Sequence, residues 1–259
     1  MNPLVLFFMS FGVGVLVGLT SMGGAALMTP LLLVFGGVKP VVAVGTDLAY
    51  GSITKIVGAW MHWKQKTVDL RVALWMACGS IPGGTVGFLV IQYMHKQGMN
   101  ADHIVRKAIG AVLVICAVIM VYRTLRGVSD SDSSGNGFIH RHMVLCVVSW
   151  GFVIGFTVGL TSVGSGSLIA PFLMLLFPKD AARVVGTDVF HAALLVSVTA
   201  FLHGRAGHVD WQLVPIMLAG SIPGVLVGSY VAPRLPSRPL RVGLGGLLFA
   251  TGYQLVFAH

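Results

Sequence analysis

Two short runs combine hydroxyls and glycines in a pattern suited to holding an anion. Gly18-Leu19-Thr20-Ser21-Met22-Gly23-Gly24 is matched by Gly159-Leu160-Thr161-Ser162-Val163-Gly164-Ser165-Gly166, 141 residues further on. Glycine lets a backbone turn and lets a ligand approach its amides. The hydroxyls of Thr20, Ser21, Thr161, Ser162 and Ser165 add donors, and a helix starting after such a turn aims free N–H groups at it. Small residues also let membrane helices pack closely, so Gly18 or Gly159 alone reads as a packing residue. The paired runs make Thr20, Ser21, Gly23, Gly24, Thr161, Ser162, Gly164, Ser165 and Gly166 the candidate substrate-binding set. Thr46 and Thr187, in Gly-Thr-Asp triplets at the same offset, join them.

Those triplets put Asp47 and Asp188 inside apolar stretches. A carboxylate near the centre of a membrane helix costs about 2.5–3.5 kcal/mol on insertion scales, so each needs a partner or water. Either the pair binds a coupling proton or Na⁺, or each carboxylate caps backbone amides of a Gly-rich turn. Lys55, eight residues after Asp47, could balance an anion or snorkel to the interface marked by Trp60, His62 and Trp63. His191 stands opposite Tyr50 by the offset and is a relay candidate, whereas His62 and His203 read as boundary groups. Two intramembrane aspartates also invite an aspartyl-protease reading. No other catalytic signature accompanies them, and the expectation is a non-enzyme.

The elements that must carry these groups are apolar. The chain of 259 residues is 56% hydrophobic and 10% charged, with mean hydropathy +0.88. A soluble domain could not hide that much apolar surface. Segments of membrane-spanning type recur at about 4–19, 41–61, 72–94 and 104–122, and again at 143–160, 184–202, 213–231 and 240–257. Each set also contains a short apolar piece, 25–35 and 167–177, which would rise only about 16 Å as a helix. Such pieces belong to broken or re-entrant segments, where transporters build their sites. The expected fold is therefore an all-α polytopic integral membrane protein of two homologous repeats. Each has about four transmembrane helices plus a half-helix, over 1–126 and 142–259, with a flexible linker at 127–141. Both sets of loops are basic, so loop charge leaves open whether the repeats run parallel or inverted.

The net charge of +9 comes from short connections and reads as orientation and headgroup contact, not nucleic-acid binding. Cys78, Cys116 and Cys146 lack any metal or disulfide spacing. The apolar N-terminus reads as the first membrane segment, since it lacks a basic n-region and a cleavage site.

The motifs taken together resemble the TauE/SafE sulfite-exporter family. The resemblance rests on the Gly-rich segments closing on Pro30 and Pro171, and on Val44-Gly45-Thr46 and Val185-Gly186-Thr187. It also rests on the following histidines, on Val209-Asp210-Trp211 and on Gly79-Ser80-Ile81-Pro82-Gly83. It implies a bacterial inner-membrane permease for sulfite, organosulfonates or related small anions, without a cofactor. Its partners would be the anion and the lipid bilayer, and a homo-oligomer is compatible with it. The sequence departs from the family in having Gly-Thr-Asp where Gly-Thr-Ser is common, and a carboxylate in place of a hydroxyl, twice, speaks against simple anion selectivity. An uncoupled anion channel is the competing transport reading.

Overall fold

A computed structural model describes residues 2–20, 25–125, 143–164, 166, 168–169, 172–173, 181–231 and 237–257. Among these the regular structure is entirely helical. It comprises α1 (Pro3–Thr20), α2 (Ala25–Val34), α3 (Pro40–Lys64), α4 (Leu70–Lys96), α5 (Ala101–Leu125), α6 (Met143–Thr161), α7 (Ala181–Arg205), α8 (Leu213–Val231) and α9 (Ser237–Phe257). By length and composition, four helical stretches can cross a membrane unaided: Leu70–Lys96, Ala101–Tyr122, Val144–Thr161 and Ala182–Arg205. Their outer faces are apolar, with Leu89, Val118, Leu145 and Phe201 exposed, as lipid requires and water penalises. The first half thus shows four long helices and the short α2. The second shows four long helices, and most of its expected short piece, like the linker at 127–141, lies outside the described residues.

Helix starts follow local chemistry. Pro40 opens α3, where a missing N–H costs nothing. Asp69 caps α4 by accepting from Val72 N at 3.2 Å, and its other oxygen pairs with Arg183 of α7 at 3.1 Å. Pro82 and Pro223 fall within α4 and α8, not in their first turns, so both helices continue past a proline. The interruption is tolerable in membrane helices when neighbours satisfy the freed carbonyl.

Glycines set the helix pairing. A side chain at Gly79, Gly83 or Gly87 of α4 would overlap the backbone of Val148, Phe152 or Phe156 of α6, so these helices touch backbone to backbone and run parallel. Gly220, Gly224 and Gly228 of α8 meet Phe7, Phe11 and Val15 of α1 in the same way. Every residue of the second set lies 141 positions from its counterpart in the first. By contrast α3 and α7 are antiparallel, with Gly51 facing Val196 and Gly58 facing Val189. The pair α5 and α9 is antiparallel too, Gly110 meeting Gly252 while Gly245 meets Val121. Small residues substitute here for the hydrophobic drive that is absent between helices in lipid.

Two loop contacts lock the halves together. Thr46 of α3 accepts from Asp210 N at 2.9 Å, and Thr187 of α7 accepts from Asp69 N at 3.0 Å. Each satisfies a backbone donor that would otherwise cost about 1–3 kcal/mol. The triplet threonines, expected at a substrate site, are therefore engaged in joining α3 and α7 to the opposite half's loops.

Candidate functional site

The chemistry concentrates near the start of α3. Asp47 is 1% exposed, and its Oδ2 accepts from Ser162 Oγ and from Thr29 Oγ1, each at 2.6 Å. Those lengths are characteristic of hydroxyls on a charged oxygen. Thr29 belongs to the short α2 and Ser162 to the turn after α6, so one carboxylate joins a half-helix of the first half to the Gly-rich turn of the second. Its Oδ1 has no partner among the described residues. The cap considered from sequence, with backbone amides as donors, is replaced here by side-chain hydroxyls.

The turn is shaped to deliver that hydroxyl. Ser162 N closes α6 by bonding Val158 O at 2.7 Å, and Ser162 itself adopts φ +62°. A side-chain-bearing residue in the left-handed region costs on the order of 1 kcal/mol and persists where the surroundings hold it. Gly164 takes φ +116° two residues later. Thr161 Oγ1 donates to Thr157 O at 2.7 Å and accepts from Val163 N at 3.2 Å. Its hydroxyl therefore braces the turn. Gly166 lies in the partly buried continuation. Ser21, Gly23, Gly24 and Ser165 fall outside the described residues, as does the side chain of Thr20, the last residue of α1.

Asp188 does not converge on Asp47. The α3–α7 register sets them about 12 residues apart, or about 18 Å along the helices at 1.5 Å per residue. Between them lies a second polar group. Lys55 interacts electrostatically with Asp188, then Asp47, and with His191. His191, fully buried, meets Ser80 Oγ through Nε2 at 2.7 Å, while its Nδ1 has no partner among the described residues. Tyr50, its counterpart at the 141-residue offset, bonds Ser221, the counterpart of Ser80. Asp188 is partly buried, and its Oδ1 also has no partner among the described residues. A cavity of about 490 Å³ opens elsewhere, on the outer face between α3 and α7, lined by Trp60, Trp63, Phe190 and Ser197 among others. None of the candidate site residues lines it.

A scan of protein families matches residues 6–255 to the sulfite exporter TauE/SafE family. The chain belongs to that family. Among its curated TauE/SafE-type relatives, the probable membrane transporter protein YjnA of Bacillus subtilis is 39% identical over 97% of this chain and 98% of its own. The probable membrane transporter protein YunE of the same organism is 24% identical over 99% and 98%. A probable membrane transporter protein of Methanocaldococcus jannaschii is 27% identical over 96% and 93%. No solved structure matches. This TauE/SafE chain is thus a membrane transporter by family and by the character of its helices, which points away from an enzyme.

Four participants escaped the sequence reading. Thr29 lies inside the first motif, but its counterpart is Ala170, so a search guided by the repeat passed over it. Ser80 and Ser221 repeat faithfully within Gly-Ser-Ile-Pro-Gly, yet the proline drew the motif toward a purely geometric role. His208 has Thr67 as its counterpart, and the two make equivalent bonds: His62 Nδ1 to Thr67 Oγ1 at 3.0 Å, His203 Nδ1 to His208 Nδ1 at 3.3 Å. His203 is fully buried, and its Nε2 donates to Gly159 O at 3.1 Å. Its Nδ1 is then the acceptor, and His208 supplies the hydrogen.

His208 lies in the loop beyond α7, and its carbonyl covers Gly45 beside Thr46. Burial first, and then neighbouring His95, holds His208 below the usual histidine range against an opposing pull from Asp102. A histidine with a lowered folded-state pKa is worth most where it is neutral in both states. Its contribution is complete above the unfolded value of about 6.5 and is lost as pH falls through that value toward the native one. Thermal unfolding in detergent should therefore weaken on acidification across this window, and His208→Gln should flatten that limb. An unchanged limb in the variant would assign the acid sensitivity to other groups.

Proposed function

We propose that this chain is a secondary transporter of the bacterial inner membrane for sulfite, organosulfonates or related small anions. It is built from homologous units, 1–126 and 142–259, joined by a linker at 127–141. The parallel pairs α4/α6 and α1/α8, with the antiparallel pairs α3/α7 and α5/α9, fit units inserted in opposite orientations about an axis in the membrane plane. The reading is carried by one observation: the Ser162 hydroxyl of a Gly-rich turn closes on Asp47 of the other half, both buried, with the half-helix hydroxyl of Thr29 on the same oxygen. This supports a site between the units in which Asp47 acts as a latch at one end. Asp188 occupies the equivalent place about 18 Å away toward the other end. Lys55 lies between them and brings a positive charge toward which an anion is drawn. Releasing one latch while making the other would alternate access, and a proton or Na⁺ at either aspartate would couple the exchange.

Counterflow of radiolabelled sulfite into proteoliposomes, competed by thiosulfate and small sulfonates, tests the assignment. Uptake stimulated by unlabelled sulfite inside is expected of a carrier. Flux that follows the membrane potential without such stimulation would make the protein a channel. Absence of flux from folded protein across these anions would remove the assignment.

A further inference from the structure

The polar group at the middle of α3 and α7 has a composition that selects among anions. The contacts Gly51–Val196 and Gly58–Val189 bracket Lys55 within the helix crossing, one turn from the level of Asp188. The titratable groups acting on it are Asp188 and His191 from α7 and Asp47 from its own helix, where Tyr50 in turn acts with Asp47. From α4 and α8 come the hydroxyls of Ser80 and Ser221. Two atoms here are buried and have no partner among the described residues, Asp188 Oδ1 and His191 Nδ1. A buried polar atom without a partner is rare in a folded protein and calls for an explanation such as a ligand.

A carboxylate oxygen accepts and never donates when ionised. A ligand facing Asp188 Oδ1 must therefore bring a hydrogen of its own. Lys55 supplies one positive charge, and Asp188 and the more distant Asp47 supply one negative charge each, so the group has no positive charge to spare before a ligand arrives. A dianion would set two further negative charges beside Asp188, while a monoanion sets one, which Lys55 faces.

We infer that this crossing binds a monoprotonated oxyanion of the hydrogensulfite class, its charge facing Lys55, its O–H donated to Asp188 Oδ1 and a bare oxygen accepting from His191 Nδ1–H. Ser80 positions the imidazole by donating to Nε2, which leaves the hydrogen on Nδ1. The inference rests on the transport reading above, adds the protonation state of the cargo and narrows that reading to oxyanions that carry a hydrogen, leaving out sulfonates that have none. The anion and one proton cross together as a single species.

The test is sulfite counterflow in proteoliposomes with methanesulfonate, a monoanion without a hydrogen to donate, and sulfate, a dianion, as competitors. A site built around a hydrogen bond rejects ligands lacking it strongly, so both should compete at least about 100-fold more weakly than sulfite. The half-saturating total sulfite should rise about tenfold per pH unit above sulfite's second ionisation, where each unit leaves a tenth of the monoprotonated form. Lys55→Met should abolish saturable exchange, and Lys55→Arg should retain it. Asp188→Asn, shown folded by unchanged thermal unfolding, should narrow the preference for sulfite over methanesulfonate by about tenfold or more. Competition by sulfate or methanesulfonate as strong as that of sulfite would overturn the inference, as would an unaltered preference in Asp188→Asn. Either result would leave anion transport itself standing. Loss of all exchange in the wild-type protein would instead remove the transport reading on which it rests.

Discussion

A cysteine placed at Val163 should react with an impermeant maleimide about fivefold faster when Asp47 is replaced by Asn. Val163 is fully buried beside Ser162, so a reagent reaches it when the turn leaves Asp47. Hydrogen bonds to a charged group are worth about 1.5–3 kcal/mol, and those between neutral groups about 0.5–1.5 kcal/mol. Only the Ser162 bond breaks when the turn leaves, so removing the charge weakens the closed state by about 1 kcal/mol, about fivefold in the opening equilibrium. Sulfite exchange should fall at least about tenfold, because a latch that no longer holds cannot alternate. Thr29→Val, which removes one bond, should give a smaller rise. Asp188→Asn should leave this reactivity near the wild-type value, since the helix register sets Asp188 about 18 Å from Asp47, which Ser162 bonds. If Asp47→Asn leaves Val163Cys as unreactive as before, the carboxylate does not hold the turn.

The second large effect concerns the backbone contacts between helices. A Cβ at Gly155 would overlap the backbone of Ser80, and one at Gly14, its counterpart 141 residues earlier, would overlap that of Ser221. Backbone cannot step aside as a side chain can, so Gly155→Ala must part α4 from α6. Overpacking of this kind costs about 1–3 kcal/mol. Gly14→Ala should cost a similar amount at the α1–α8 contact, and the two should add because they lie in different helix pairs. Gly243→Ala meets nothing within 4 Å and serves as the control. Thermal unfolding in detergent reads all three. Equal stability of Gly155→Ala and Gly243→Ala would contradict the close contact.

These glycines also show how far the sequence could lead. The apolar segments and the short α2 were legible because membrane helices need long apolar runs and a shorter run stands out against them. Which helices run parallel and which antiparallel was not, because basic loops throughout the chain give no orientation signal. It emerges only from which glycine meets which carbonyl. Asp47 stood out as a carboxylate in an apolar segment. Its donors did not, since Ser162 lies 115 residues away and Thr29 has no hydroxyl counterpart at Ala170. Thr46 and Thr187 drew attention as substrate hydroxyls, and the structure gives both to loop amides. Side-chain type and spacing identify polar groups that need partners, whereas the choice of partner is made by tertiary packing.

The most direct test of the latch keeps Asp47 intact and follows Val163Cys during turnover, with Cys78, Cys116 and Cys146 replaced by serine or alanine. Proteoliposomes exchanging sulfite would be treated with impermeant maleimide from one side of the membrane or the other. Labelling should proceed from one side only, quicken when sulfite is exchanging and stop counterflow once complete. Steady sulfite exchange with Val163Cys unlabelled from either side would mean that the anion crosses without the turn leaving Asp47, and the latch would have to be abandoned.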